Sequence, residues 1–404
     1  MINKLIFGKI GFAIFLLCTV MVIASPAQTF KTLLSFSGTD GANPAYSLLQ
    51  GSDGNVYGTT EYGGAAGAGA VFKITPKGKL TTLYSFCSRS NCADGAVPLA
   101  ALIQATNGNF YGTTFEGGAD GAGTIFEITP KGKLTTFYNF CSKSGCTDGA
   151  SPYGAGLVQA TNGNFYGTTY GGGAHGYGTV FEITAAGKLT TLHSFAGYPD
   201  DGESPVASLV QANGNFYGTT FNGGTNNGGT VFEITPKGKL TTLYSFCSQK
   251  NCTDGTYPEA GLVQATNGNF YGTTYGGGAT NYGTIFEITP KGKLSRLHSF
   301  CSQKNCTDGS YPGAALVQAS NGNFYGTTAS GGVNGNYGTI FETTSKGKLT
   351  TLHSFCSEKG CPDGAAAFGG LVRATNGIFY GATFTGGTDA FGTVFSLSGA
   401  LGTR

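Results

Sequence analysis

Apolar and polar positions alternate along this chain in short bursts, and the bursts follow a fixed order. Ala260 to Ala265 is a short apolar run, and Asn267-Gly268 after it is a two-residue hairpin signal. Asn269 to Tyr275 is a second run, closed by Gly276-Gly277-Gly278. Gly283 to Thr289 is a third, turned by Pro290-Lys291-Gly292, and Lys293 to Phe300 is a fourth. Each run is β-branched, aromatic or Leu-rich and strand-length, which predicts four strands, a to d. Beyond residue 27 no window carries the 3.6-residue apolar period of a helix.

The four phrases recur. The Tyr of the second run stands at Tyr57, Tyr111, Tyr166, Tyr217, Tyr271, Tyr325 and Tyr380, in steps of 54, 55, 51, 54, 54 and 55 residues. A fixed period of this size predicts a propeller or a solenoid. The phase separates the two. After residue 27 the chain opens on a lone d strand, residues 30–36, and closes on an a-b-c set at 371–374, 379–383 and 392–397. A ring explains that offset, because the first strand completes the last blade and removes the open edges. The expectation is an all-β, seven-bladed β-propeller with four antiparallel strands per blade, its N-terminal strand completing the last blade. A linear β-solenoid is the runner-up. The Gly in every b strand (Gly58, Gly112, Gly167, Gly218, Gly272, Gly326, Gly381) then marks a place where neighbouring backbones converge.

Strand alternation sorts the loops. The a–b and c–d turns share one end of the ring and are tight. The b–c and d–a loops share the other, are longer and vary, so that face is where binding is expected.

The chain ends refine the picture. Lys4 and Lys9, the apolar run from Ile10 to Ala24 and the small residues Ser25-Pro26-Ala27 form a secretory signal peptide, 1–27. Residues 28–404 are then one seven-repeat domain. Nothing after Phe395 resembles an anchor, so the expected product is secreted or periplasmic, without stable membrane insertion, and monomeric. Removing Lys4 and Lys9 leaves 21 basic against 21 acidic residues, which argues against a nucleic-acid partner.

Ten of the 11 cysteines form five C-x4-C pairs in d–a loops: Cys87/Cys92, Cys141/Cys146, Cys247/Cys252, Cys301/Cys306 and Cys356/Cys361. The loops after Phe36 and Phe195 have none. Gain and loss in pairs predicts local disulfides in an exported protein. Metal binding is the weaker reading, since each loop offers only two ligands and no nearby His. Asp-Gly follows each pair, at Asp94, Asp148, Asp254, Asp308 and Asp363, and also occurs at Asp40 and Asp201. It reads as turn chemistry rather than a calcium site. No metal and no cofactor are expected.

No catalytic constellation stands out. His193, His298 and His353 take the place that Tyr84, Tyr138 and Tyr244 fill in other copies, which indicates packing. Glu127, Glu182, Glu233, Glu287 and Glu342 repeat too regularly for a catalytic pair. The Lys-Gly-Lys turns of the other face read as solvated hairpin tips, with an anionic partner as the alternative.

Aromatic residues collect on the variable face. Phe115, Tyr170, Phe221, Tyr275 and Phe384 follow the Thr-Thr of strand b. Tyr177, Tyr282, Tyr337 and Phe391 precede strand c, while Tyr46, Tyr153, Tyr257, Tyr311 and Phe368 lie where d–a loops enter strand a. Rigid rings beside amides and hydroxyls suit sugars or protein surfaces, and the competing reading is that they cover blade edges.

The phrases Gly-Thr-Val-Phe-Glu-Ile-Thr, Leu-Tyr-Ser-Phe, Gly-Leu-Val-Gln-Ala and Asn-Phe-Tyr-Gly-Thr-Thr resemble the GloVer tandem repeat of bacterial exported choice-of-anchor proteins. The resemblance spans residues 30–397 and implies export and a repeat fold, with no catalytic residue attached. The strand order with Gly-Gly closing strand b is also similar to kelch blades, without the kelch Trp. The leading expectation is a non-enzymatic propeller binding a glycan or protein on its aromatic face. The alternatives are a carbohydrate-active enzyme at the channel mouth, using His175, Asp200, Asp201 or Glu203, and a structural envelope or adhesive protein.

Overall fold

The computed structural model describes residues 28–154 and 156–399. The signal-peptide assignment to 1–27 lies outside the described residues. Seven four-stranded antiparallel sheets follow one another, one for each copy of the repeat. In blade 5, strands a to d are Val263–Gln264, Phe270–Thr274, Thr284–Ile288 and Leu294–Ser299. Blade 7 consists of Val372–Arg373, Phe379–Thr383 and Thr393–Ser398, completed by Thr29–Ser35. Phe30 pairs with Leu397 and Ser35 with Thr393, so the ring is closed by its first strand.

Strand a is shorter than the apolar run suggested. Only Val263 and Gln264 pair with strand b, opposite Tyr271 and Phe270. The residues just before them, Glu259 to Leu262, line the central channel instead. In every blade the c–d pairing shifts register once, as between Ile285 and Phe286, a bulge that adds twist to the outer strand.

The core lies between blades. Each strand-b Tyr packs on the strand-b Phe of the next blade: Tyr57 on Phe110 at 4.1 Å, Tyr166 on Phe216 at 4.0 Å, Tyr271 on Phe324 at 4.1 Å. At the closing interface Val56 takes the Phe position and meets Tyr380. The buried Tyr body leaves its hydroxyl at the rim, where it donates to the strand-c glutamate. Tyr111 reaches Glu127 at 2.8 Å and Tyr217 reaches Glu233 at 2.8 Å, while in blade 1 Asp53 accepts from Tyr57 at 2.8 Å. The repeated glutamates are therefore acceptors for buried tyrosines, which is why they recur.

The strand-b glycine has a different cause from the one expected. A Cβ on Gly272 would lie 2.7 Å from Phe286 Cζ and 3.0 Å from Leu262 Cδ2. What needs the space is the strand-c Phe ring of the same blade, folded across the glycine, rather than the backbone of a neighbouring blade.

The variable face is firmer than its loop content suggested. In six blades the d–a loop forms a single β-bridge to the b–c loop, as Ala96 with Glu116 and Thr256 with Gly276. In blade 4 this contact becomes a ribbon, Gly202–Glu203 against Asn222–Gly223. Among the described residues, the helical pieces are four three-residue 3-10 turns: Ser90–Cys92, Ser144–Cys146, Lys250–Cys252 and Lys304–Cys306.

Candidate ligand-binding site at the channel mouth

The d–a loops are built around the Asp of Asp-Gly. Asp94 accepts from the Ser88 N–H at 3.0 Å, the Arg89 N–H at 3.2 Å and the Tyr84 hydroxyl at 2.7 Å. The carboxylate thus spans back across the loop rather than capping its own turn. Burial acts to raise the Asp94 pKa, but the hydrogen bonds from Tyr84 and Ser88 outweigh it and hold the group below the usual carboxylate range. His193 and His353 do the work of this Tyr, reaching Asp201 at 2.6 Å and Asp363 at 3.0 Å. Tyr and His interchange because either puts a polar tip on the loop carboxylate.

All five C-x4-C pairs are disulfides closing these loops: Cys87–Cys92, Cys141–Cys146, Cys247–Cys252, Cys301–Cys306 and Cys356–Cys361. The second cysteine does more than close the cross-link. In four of the loops it ends a 3-10 turn, at Cys92, Cys146, Cys252 and Cys306. The cause is an i to i−3 hydrogen bond: the Cys146 N–H donates to the Lys143 carbonyl at 2.9 Å, and the Cys306 N–H to the Gln303 carbonyl at 3.0 Å. Both cysteines also carry a positive φ, 50° and 53°, which swings their carbonyls toward the b–c loop. The Cys146 carbonyl there accepts from Gly149 and Gly173, and the Cys306 carbonyl from Gly309 and Gly332, all at 2.9 Å. The second cysteine therefore ties two loops together through its backbone as well as closing one through its sulfur.

After the Asp-Gly each chain turns into the channel through a left-handed residue: Asn43, Val97, Ser151, Ser204, Tyr257, Tyr311 and Ala366 all have φ between 50° and 58°. The Val97 N–H donates to the Ala68 carbonyl of the preceding blade at 2.8 Å, and its own carbonyl accepts from the Phe115 N–H at 2.9 Å. In six of the seven a Pro follows. Two residues further on, the Ala100 carbonyl accepts from Thr59 of the preceding blade at 3.1 Å, and Ala260 from Thr219 at 3.2 Å. The backbone is clamped on both sides of one residue, the one after the Pro position.

That residue differs in all seven copies. It is Ala45, Leu99, Tyr153, Val206, Glu259, Gly313 and Phe368. The residues around it are nearly constant. All but Leu99 line a cavity of about 440 Å³ at the channel mouth, walled also by Tyr46, Glu61 and Phe384.

The electrostatics of this cavity are unlike those of the rest of the surface. Glu259 has no hydrogen-bond partner among the described residues, and burial pushes its carboxyl up to about 7. Burial also raises Glu61, opposed by the neighbouring Tyr62 hydroxyl. The Tyr46 hydroxyl is pushed well above its usual range, first by burial and then by the Tyr153 hydroxyl and the two glutamates. Among the described residues no Lys, Arg or His lines the cavity.

The expected aromatic residues divide into two groups. Tyr153 and Phe384 line the cavity, with Phe368 edge-on to Phe384 at 5.6 Å. Tyr153 is a hub, with Tyr46 at 6.4 Å, Phe115 at 5.7 Å and Tyr170 at 6.0 Å between ring centroids. Tyr275 stacks on Tyr311 at 4.9 Å, and its hydroxyl is raised by burial and by Glu259. Tyr282 contacts Tyr311 from outside, and Phe221 stacks on Tyr257. Tyr177 and Phe391 lie away from the mouth, over Gly197 and Gly38 of the adjoining d–a loops. Tyr337 stands by the Cys356–Cys361 loop. The asymmetric polar residues are not gathered here. Asp201 is taken by His193, Glu203 pairs with Asn222 in the ribbon, and His175 and Asp200 are exposed elsewhere. Among the described residues no group of three His, Cys, Asp or Glu is placed to hold a metal.

Sequence reasoning passed over Glu61 and Glu259. Glu61 occupies the position after Thr-Thr that is aromatic in five other blades. Glu259 sits at the one rim position where no two copies agree. Both could have been found by searching the repeats for disagreement.

The chain belongs to the Gloeobacter/Verrucomicrobia repeat family, whose repeat matches residues 17–154, 90–264, 143–307 and 247–403. No curated protein matches the chain. Among solved structures it is similar to the extracellular domain of a candidate hybrid two component system, BT4673, from B. thetaiotaomicron. That match has 12% identity and TM-score 0.57, covering 91% of this chain and 39% of that one. A second structure, of the extracellular domain of BT4673 as a candidate one component system, gives 12% identity and TM-score 0.55 over 92% and 40%. A candidate 6-phosphogluconolactonase from Bacteroides uniformis gives 17% identity and TM-score 0.50 over 77% and 84%. The chain spans about two fifths of the BT4673 structures. At these identities the likeness concerns the fold.

Proposed function

We propose that this chain is an exported, non-enzymatic propeller that binds a glycan at its channel mouth. The observation that carries the reading is the rim. In a molecule of near-identical copies, the one position that differs seven ways is the one that lines the aromatic cavity. A closed ring of equal blades needs no such difference for its own stability. Aromatic faces beside Tyr hydroxyls and backbone amides suit a sugar ring, which is apolar on its faces and polar at its edge. The five disulfides favour a secreted or periplasmic location, and among the described residues no helix is long and apolar enough to cross a membrane. The exposed outer rings, such as Tyr170, Tyr177 and Tyr282, are where a protein-borne ligand would make its further contacts. A glycan array followed by equilibrium titration tests the reading. Tyr153→Ala should weaken binding of any hit by about tenfold or more, and an array without hits, repeated with a protein pull-down, would remove it.

One observation favours a second reading, a carbohydrate-active enzyme. Glu259 is held near neutrality by burial, as a general acid requires, and Glu61 is a further carboxyl at the same mouth. Turnover of an array hit that vanishes in Glu259→Gln while binding persists would establish it.

A further inference from the structure

We propose that the ligand of the channel mouth carries a positively charged amine, seated on Glu259 within the tyrosine and phenylalanine walls. The inference rests on the glycan reading and narrows it to an amino sugar, or a sugar bearing a comparable ammonium group. Two carboxyl side chains, Glu61 and Glu259, share one cavity of about 440 Å³ with Tyr46, Tyr153, Phe368 and Phe384. Among the described residues no basic side chain lines it.

The strand-c glutamates and the loop aspartates described above have their partners. The strand-c glutamates accept from tyrosines, and the loop aspartates accept from N–H groups, Tyr or His. Glu259, partly buried in the cavity wall, by contrast has nothing donated to it among the described residues. Partly burying a carboxyl without a partner has a cost that Gln or an apolar residue would not incur, so the repeat's own stability gives no reason for Glu here. The other six copies show that the position accepts Ala, Leu, Tyr, Val, Gly and Phe without disturbing the backbone. The carboxyl is thus not required by the repeat.

A cation supplies what is missing. An ammonium group brings the opposite charge to the carboxylate, and the faces of the surrounding rings stabilise it further. A neutral sugar would bring hydroxyl donors but no charge. A metal ion would want more oxygen ligands than this mouth offers. An anionic sugar would face two acids and no base.

The groups facing Glu259 are the hydroxyls of Tyr46, Tyr153 and Tyr275, with Glu61 as the other acid of the cavity. All three tyrosines have pKa values raised from 10.0, so over pH 6 to 8 they stay neutral. Over that range Glu259, with its midpoint near 7, changes charge. Binding a permanent cation should therefore strengthen as pH rises.

The test uses two tetramers of the same sugar: glucosamine with quaternised amines, which carries its charge at every pH, and the N-acetylated tetramer, which carries none. Each is titrated against the full protein by calorimetry at pH 6 and pH 8. The quaternised tetramer should bind about tenfold more tightly at pH 8, following the ionised fraction of a group with midpoint near 7. The acetylated tetramer should bind more weakly at pH 8. In Glu259→Gln the pH dependence should vanish and the preference for the charged tetramer should fall. Thermal melts of that variant confirm that it is folded. Equal binding of both tetramers at pH 8 would overturn the amine inference and leave the glycan reading standing. Binding of neither would overturn it as well, and the glycan array would then decide the broader reading separately. Tight, pH-independent binding of the charged tetramer that survives Glu259→Gln would also overturn it.

Discussion

Glu259 should be visible in stability as well as in binding. Its folded-state pKa is about 7, raised by burial from an ordinary 4.5, so the folded state holds this proton more firmly than the unfolded chain. The folded state is therefore favoured most below the unfolded value, and that advantage is lost as pH rises through 7. At full conversion the shift corresponds to about 3 kcal/mol. Asp94, Asp148 and Asp308 act with the opposite sign. Their folded values are lowered by hydrogen bonds that outweigh burial, so they add stability above the ordinary carboxylate range that is lost on acidification. Urea melts at pH 5 and pH 8 should show Glu259→Gln gaining on the parent by clearly more at pH 8 than at pH 5. An equal difference at both values would mean that the carboxyl is not withdrawn from water. The strand-b glycines give a second test at this scale. Gly272→Ala forces a methyl to within 2.7 Å of Phe286 and should cost about 1–3 kcal/mol through overpacking. Gly268→Ala, at φ +83° in an open turn, should cost only about 1 kcal/mol for its left-handed backbone. Residue by residue, what repeats was legible in the chain and what does not repeat was passed over. A Tyr seen seven times announces a strand, whereas Glu61 and Glu259 each occur once in their place and carry no pattern until the ring brings them to one mouth.

At the scale of the element, the strands were legible because each recurs as a short β-branched, aromatic or Leu-rich run bounded by Gly, Asn or Pro turns, although strand b is buried at every position rather than every second one. The loops were legible in composition but not in mechanism. Asp-Gly reads as a turn from the sequence, yet Asp254 collects the N–H groups of Ser248 at 2.9 Å and Gln249 at 3.2 Å and the Tyr244 hydroxyl at 2.8 Å. Contacts of this kind run across five to ten residues, beyond what a local turn rule covers. The cysteine spacing likewise announced a cross-link but not the 3-10 turns at Cys146 and Cys306, because three residues are too few to show a period. The same geometry predicts an order of effects within one loop. Replacing Cys247 and Cys252 by Ser removes a short cross-link and should cost about 2 kcal/mol or less. Asp254→Ala leaves the Ser248 and Gln249 N–H groups and the Tyr244 hydroxyl without their acceptor, and should cost more than the double Cys variant. Denaturant titration of the two variants checks the order. The reverse ranking would make the disulfide, not the carboxylate, the main organiser of the loop.

For the whole molecule, closure is the property on which the site depends, because residues of all seven blades meet at the cavity only if the ring is complete. The offset of one strand between chain start and repeat start made this legible before any coordinates, and the Phe30–Leu397 register bears it out. The closing interface has its own aromatic contacts: Phe30 stacks on His353 of blade 6 at 3.8 Å and on Phe395 at 5.3 Å. It is also the interface where Val56 stands in for the Phe of the others, so the Tyr-on-Phe contact is missing there. The ring should therefore open at this point first. Deleting residues 28–36 leaves the edge of Thr393–Ser398 unpaired and removes Phe30 from between blades 6 and 7. An unpaired, largely buried strand edge is a template for another chain, so the shortened protein should associate, eluting ahead of a monomer in size-exclusion chromatography. A peptide of residues 28–36 added in trans should restore the parent's elution position and, with it, ligand binding at a mouth the peptide does not touch. If the shortened protein stays monomeric and keeps its affinity, blade-to-blade packing alone holds the ring, and the first strand is dispensable to the site.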